Sequence, residues 1–194
     1  DDKVRAYIKI ENLNDEEFIN NNYIIFCTKK GMVKKTIVEA FSRPRANGIN
    51  AITINEGDQL LEAKLTNGNN EIIIANREGR AIRFNETKAR PMGRGAAGVK
   101  AITLAGADDE VIGMISADPT KADFSVFVVS EKGNGKRSPL EDYRITNRGG
   151  KGVKTINVTD KTGSLVGLLD VLPNEDIMIT CKSGVTIRMP VSGI

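Results

Sequence analysis

The 194-residue chain contains no histidine and no tryptophan. Losing histidine removes the commonest general base and the commonest transition-metal ligand, so a hydrolytic triad built on an imidazole is excluded. Aromatic residues reach only 5%, too few to stack a run of bases along a single nucleic-acid strand. The two cysteines, Cys27 and Cys181, each close an apolar run without metal-ligand spacing or a disulfide framework. Both read as core thiols of a reducing, cytoplasmic setting. No apolar run approaches the ~20 residues a membrane-spanning helix needs. The net charge of +3 is too small to attract a polyanion in bulk, so any such binding requires cations segregated on part of the surface. A chain that opens Asp1-Asp2 with no signal-peptide pattern reads as a piece of something longer.

What the chain does contain is a repeat. The segments Thr28-Lys-Lys-Gly-Met-Val-Lys-Lys, Asn76-Arg-Glu-Gly-Arg-Ala-Ile-Arg, Ser130-Glu-Lys-Gly-Asn-Gly-Lys-Arg and Cys181-Lys-Ser-Gly-Val-Thr-Ile-Arg follow one plan. Their glycines, Gly31, Gly79, Gly133 and Gly184, stand 48, 54 and 51 residues apart, and a second anchor, Gly48, Gly98 or Gly152, follows the first three by 17, 19 and 19 residues. Apolar residues alternate around these anchors with the period of a strand. Ile24/Phe26, Ile72/Ile74, Val126/Val128 and Ile177/Ile179 precede the first anchor, and Ile52/Ile54, Ile102/Leu104 and Ile156/Val158 follow the second. A third pattern reads Leu61, Ala63, Leu65, then Val111, Gly113, Ile115, then Leu165, Gly167, Leu169, with Val4, Ala6, Ile8 as an early copy. Its small middle position predicts close approach of a neighbouring strand.

Units of about 50 residues with about four short strands predict an all-β, propeller-like array of blades. The expected division is the end of a blade over 1–22, blades over 23–70, 71–124 and 125–175, and the start of another over 176–194.

The cations follow the repeat. Four residues beyond each first-anchor glycine stand Lys35, Arg83, Arg137 and Arg188, with Lys136 beside Arg137. Around the second anchor come Arg43 and Arg45, then Arg90, Arg94 and Lys100, then Arg144, Arg148, Lys151 and Lys154. Acidic residues gather in other turns, at Glu11, Asp15 to Glu17, Glu56, Asp58, Asp108 to Glu110, Glu175 and Asp176. Equivalent positions of an array lie at equivalent places, so a positive rim and a separate negative region are expected. A periodic positive rim suits a periodic line of negative charge such as duplex DNA, read through its backbone rather than its bases. The plainer reading is that basic turns are solvated or guard strand edges against pairing; repetition at fixed offsets argues against it.

The stretch Thr146-Asn-Arg-Gly-Gly-Lys-Gly-Val-Lys-Thr155 is not a nucleotide-binding P-loop. That motif requires a lysine followed by serine or threonine entering a helix, whereas Lys151 precedes Gly152 and leads into a strand pattern.

On these residues the chain resembles the C-terminal domain of the DNA gyrase A protein, most specifically at Thr28 to Thr36, Ala81-Ile-Arg-Phe84, Arg90-Pro-Met-Gly-Arg-Gly95, Gly133-Asn-Gly-Lys-Arg137 and Arg148-Gly-Gly-Lys-Gly-Val-Lys154. The resemblance implies a β-pinwheel of six blades that exchange outer strands, of which about four are present here. It also implies wrapping of duplex DNA around a basic outer rim, in support of negative supercoiling by the whole enzyme. Arg148 to Gly152 matches the core of the family's box, but Thr146 and Asn147 replace its leading residues, so the complete box is expected upstream of Asp1.

The resemblance further implies no catalysis by this fragment itself, no role in DNA cleavage for Tyr7, Tyr23 or Tyr143, and no cofactor or metal in this part. ATP and Mg would serve the holoenzyme, an ATP-dependent type II topoisomerase. Its partners would be duplex DNA, the gyrase A N-terminal region and the gyrase B protein, in the bacterial cytoplasm at the nucleoid. The corresponding C-terminal domain of topoisomerase IV and a propeller-type protein-interaction scaffold are the alternatives. A small-ligand site in the channel of the array would rest on fold analogy alone.

Overall fold

The computed structural model describes residues 3–121 and 123–194; the opening aspartates lie outside them. Among the described residues thirteen strands form four small antiparallel sheets, with one short α-helix, Glu16–Asn21, ahead of them. Each of the four repeated segments folds as a hairpin about its first-anchor glycine. β1 (Tyr23–Thr28) pairs with β2 (Met32–Ile37), β4 (Glu71–Asn76) with β5 (Arg80–Asn85), β8 (Ser125–Ser130) with β9 (Gly135–Pro139), and β12 (Asp176–Thr180) with β13 (Thr186–Pro190). The third apolar pattern supplies β3 (Leu60–Thr66), β7 (Val111–Ala117) and β11 (Leu165–Val171), each pairing with the first hairpin strand of its own unit. β7 packs against both β3 and β11. These strands therefore line the axis of the array, and a Cβ on Gly113 would stand 3.2 Å from Leu168 Cβ, the close approach its small size predicts.

Strand exchange closes the outer edge. β6 (Val99–Lys100) follows the second hairpin in the chain but pairs with β2 of the first, and β10 (Val153–Lys154) follows the third but pairs with β5 of the second. The resulting sheet orders are β3-β1-β2-β6 and β10-β5-β4-β7, with β11-β8-β9 and β12-β13 after them. The second-anchor glycines make the exchange possible. Gly98 and Gly152 have φ of 95° and 71°, and a Cβ there would stand 2.4 Å from the Val33 carbonyl oxygen and 2.2 Å from that of Ala81. Neither the left-handed backbone nor that contact tolerates a side chain.

Three apolar cores lie between consecutive sheets. One joins Ile25, Cys27 and Val33 to Ile72, Ile74, Ile82 and Met114, a second joins Ile73, Ala75 and Ile115 to Val126 and Val128, and the last joins Phe127 and Val171 to Ile177 and Val191. Stacking in this way buries both faces of the hairpin between the first two.

Three expectations need correction. The alternating residues after the second anchor are not ladder strands beyond β6 and β10. Residues 101–104 form no strand and are tied by single main-chain bonds, Ala101 N–H to the Gly31 carbonyl at 2.8 Å and Thr103 N–H to that of Gly150 at 2.8 Å. Val4, Ala6 and Ile8 belong to no strand; Val4 is exposed, and Ile8 packs partly on the first sheet. Cys181 is exposed rather than a core thiol, whereas Cys27 is fully buried.

Candidate nucleic-acid interface

The cations of the repeat divide into two sets, and strand geometry makes the division. In the first three hairpins the residue four beyond the turn glycine points toward the next blade. Lys35 is buried, its ammonium donating to the Glu86 carbonyl at 3.1 Å, with the Glu86 carboxylate at 3.4 Å and the Tyr23 ring 5.0 Å away. Arg83 binds the Glu71 carboxylate through Nε at 2.5 Å and donates to the Leu140 and Tyr143 carbonyls of the third blade at 2.8 and 3.0 Å. Arg137 donates to the Val191 carbonyl of the fourth at 2.9 Å. The acceptors sit at equivalent places, in or just past the single helical turn that follows each hairpin, over Glu86–Lys88, Leu140–Asp142 and Val191–Gly193.

This recurrence is an inter-blade clasp. Lys35, Arg83 and Arg137 are therefore withdrawn from the expected DNA-contacting set, since they face the next blade rather than the outer edge; Lys35 and Arg83 are engaged there through ion pairs and carbonyls, and Arg137, half-buried, through Nη1. Arg188, the fourth of the series, is exposed and paired with Asp176 of its own hairpin. Lys136 is exposed on the edge strand β9, apart from the loops described next.

The second set lies on the outer edge. The segments over 42–54, 90–104 and 144–158, of which the second and third carry the exchanged strands β6 and β10, are laced together. The Thr53 hydroxyl donates to the Gly95 carbonyl at 2.8 Å and its N–H to that of Ala96 at 3.1 Å; the Thr103 hydroxyl repeats the contact on Gly149 at 2.6 Å. Arg43, Arg45, Arg90, Lys100, Arg144, Lys151 and Lys154 are exposed along this edge, and Arg94 and Arg148 are half-buried. The structure brings two groups together. Arg43, Arg45 and Arg94 line one groove of about 720 Å³, which also takes in Glu39. At the next junction Arg148 donates to the Lys88 and Lys100 carbonyls at 2.8 and 3.0 Å, which ties its guanidinium to the main chain of two other basic residues. Lys154 donates to Asn157.

Lys88 escapes the sequence pattern because it stands before the second anchor rather than at a repeated offset. Lys34 escapes it as well: it is fully buried under the Gly93–Arg94 loop. The acidic turns are partly occupied in holding the fold. Asp109 accepts from Asn76 and the Ala105 N–H, Asp58 from the Lys30 N–H, and Glu110 pairs with Lys29.

Among the tyrosines, Tyr7 is exposed, Tyr23 lies under Lys35, and Tyr143 is buried with its hydroxyl against Thr155, burial pushing that phenol up from its usual pKa. Among the described residues no three cysteine or carboxylate side chains gather as a metal site, and no helix is long and apolar enough to cross a membrane.

The family model described as the DNA gyrase C-terminal domain, a beta-propeller, matches residues 22–67, 70–118 and 125–171. The chain belongs to this family. The DNA gyrase A proteins of Staphylococcus epidermidis and Staphylococcus aureus are each 42% identical to it over all 194 residues, which span 21% of those proteins. Among solved structures, the C-terminal domain of DNA topoisomerase IV superposes with a TM-score of 0.84 at 26% identity, over 93% of this chain and 55% of that one. The DNA gyrase A C-terminal domain superposes with a TM-score of 0.76 at 23% identity, over 90% and 57%. The β-pinwheel expectation is thereby met.

Proposed function

We propose that the outer edge binds the phosphate backbone of duplex DNA without reading sequence and bends the duplex around the array. The observation carrying this reading is that exposed cations recur on each exchanged loop while the inward cations of the same repeat are committed to clasps. Arg43, Arg45, Arg90, Arg94, Lys100, Arg144, Arg148, Lys151 and Lys154 make the contacts. The lacing by Thr53 and Thr103 keeps the edge stiff, so added phosphate contacts offset the elastic cost of bending the duplex.

In a DNA gyrase this wrapping would serve negative supercoiling by the complete ATP-dependent enzyme with its second protein, gyrase B, in the bacterial cytoplasm. DNA cleavage and the ATP and Mg sites are assigned to other parts of such an enzyme. The identity to gyrase A favours that assignment; the higher TM-score with topoisomerase IV supports the corresponding domain of that enzyme as the second reading.

The test is the affinity for two unrelated duplexes of about 40 base pairs across a salt series, where each phosphate contact contributes about −0.9 to the log–log slope. Equal affinities with a steep slope support the proposal. A shallow slope, or preference for one duplex, refutes it and leaves a protein partner as the ligand of the rim. Reversing charge at Arg45 and Arg94 together should weaken both duplexes alike. The handedness of wrapping, read from circular DNA relaxed in the presence of the chain, separates a gyrase-type rim, expected to wrap positively, from a weaker topoisomerase IV-type one.

A further inference from the structure

The position of Lys34 varies along the repeat: Ile82 and Ile187 hold it in the second and fourth hairpins, and in the third it is Lys136, which is exposed on the edge strand β9. Ile82 is buried against Gly150 of the exchanged loop, so an aliphatic side chain suffices to support that loop. Lys34 is equally buried but carries an ammonium, and among the described residues no carboxylate pairs with it. Its donors go to main-chain carbonyls: Ala51 of its own blade, and Gly93 at 3.2 Å and Arg94 at 3.0 Å on the loop crossing from the second blade. The Phe26 ring lies 5.2 Å away. A lysine has three ammonium donors and no acceptor, and here all three bridge the two loops that carry Arg43, Arg45 and Arg94. A buried charge held only by carbonyls is a poor choice for stability. Its placement beneath the arginine-lined groove gives it another use.

We infer that Lys34 is a positioning residue of the rim, its charge holding the Gly93–Gly95 loop against the first blade so that Arg43, Arg45 and Arg94 meet one stretch of phosphodiester backbone together. The inference rests on the duplex-binding reading above. Burial, and then the charge of Arg94, lower the Lys34 ammonium to about 8. The groups facing it are the Phe26 ring from β1, the Ala51 carbonyl, and Arg94 with the Gly93 carbonyl from the crossing loop. A phosphodiester in the groove favours the protonated form, and by reciprocity protonation favours the phosphodiester.

The experiment has two arms on this chain and on Lys34→Met. In the first, duplex affinity is measured at about pH 7 and about pH 9.5. Loss of one phosphate contact is worth about eightfold at ~0.1 M salt. Wild type is expected to weaken by about that factor over the interval, while Lys34→Met is weak at both values and flat between them.

In the second arm, without DNA, carbon-detected carbonyl shifts of Ala51, Gly93 and Arg94 are followed with pH. They should titrate together near pH 8 in the wild type, while the Gly150 carbonyl above Ile82 stays flat. Equal affinity and equal pH dependence of the two proteins overturn the inference, as does a Gly150 carbonyl that titrates with the other three. A wild type that binds no duplex at any salt concentration refutes the function proposed above instead, and the carbonyl arm still decides whether Lys34 holds the loop. Because that arm needs only wild type, misfolding of Lys34→Met leaves the test intact.

Discussion

Replacing Arg83 by methionine separates the two roles that a repeated cation can play. In the folded chain its guanidinium is 11% exposed and Glu71 is 9% exposed, and the pair is closed by two carbonyls of the third blade. Removing one member of a buried pair leaves the other uncompensated and costs about 3–5 kcal/mol. For a domain of this size each kcal/mol moves the melting temperature by about 2–4 °C, so Arg83→Met should melt roughly 10 °C early.

Adding Glu71→Met should recover much of the loss, since an apolar pair of similar volume is often as stable as a buried ion pair. It should not restore docking to Leu140 and Tyr143. In a repeat array, stability is a sum of units and nearest-neighbour interfaces, so the second and third blades should unfold less cooperatively in both variants. Urea unfolding followed by circular dichroism measures this, with duplex affinity taken on the same samples well below melting. Stability within about 1 kcal/mol of wild type, together with a salt slope shallower by about 1, would refute the clasp and return Arg83 to the DNA-contacting set.

Gly98→Ala should destabilise by more than about 1–3 kcal/mol in thermal melts, because both its φ of 95° and the Val33 carbonyl oppose a Cβ; Gly93→Ala, in open space with ordinary φ, should not. Lys34 stands at about 8 when folded against its ordinary 10.5. Between these values the unfolded chain binds more protons, so stability rises with pH by up to about 3 kcal/mol across that window. Subtracting the stability curve of Lys34→Met, measured by urea titration, should isolate this rise; a flat difference would contradict it. Burial, with Glu62 and Asp58 nearby, pushes the Cys27 thiol well above its usual range, whereas Cys181 is exposed. A thiol reagent should therefore count one cysteine in the native chain and two in denaturant.

The hairpins and inner strands were legible because glycine turns and alternating apolar residues are local signals, and β1, β4, β8 and β12 carry the expected pairs. The outer segments were less so. Ile102 and Leu104 alternate as a strand does, but alternation reports two environments and not the ladder that would join them. Lys35, Arg83 and Arg137 were misplaced for a related reason. When blades stack, both faces of a hairpin are interior, so a repeated cation does not mark the outside. A signal was present nevertheless. Twelve residues before Arg83 and Arg188 stand their partners Glu71 and Asp176, and the same offset from Lys35 reaches Tyr23, over whose ring the ammonium lies.

The division between clasp and rim alters what the salt dependence should be. Were all fourteen candidate cations touching phosphates, the log–log slope would approach about −13; the nine on the laced outer edge allow at most about −8. The clasps still act on DNA indirectly. Each joins a hairpin to the turn of the next blade and so helps to set the angle between successive blades, while rim cations ride on loops exchanged across the first two of these junctions. Weakening a clasp should then leave the number of contacts unchanged but let the junction flex, reducing the bend of the bound duplex more than the salt slope. Neutralising a rim arginine should do the reverse. Measuring duplex bend and salt slope on the same two variants tests whether curvature and affinity are carried by different members of one repeated cationic pattern.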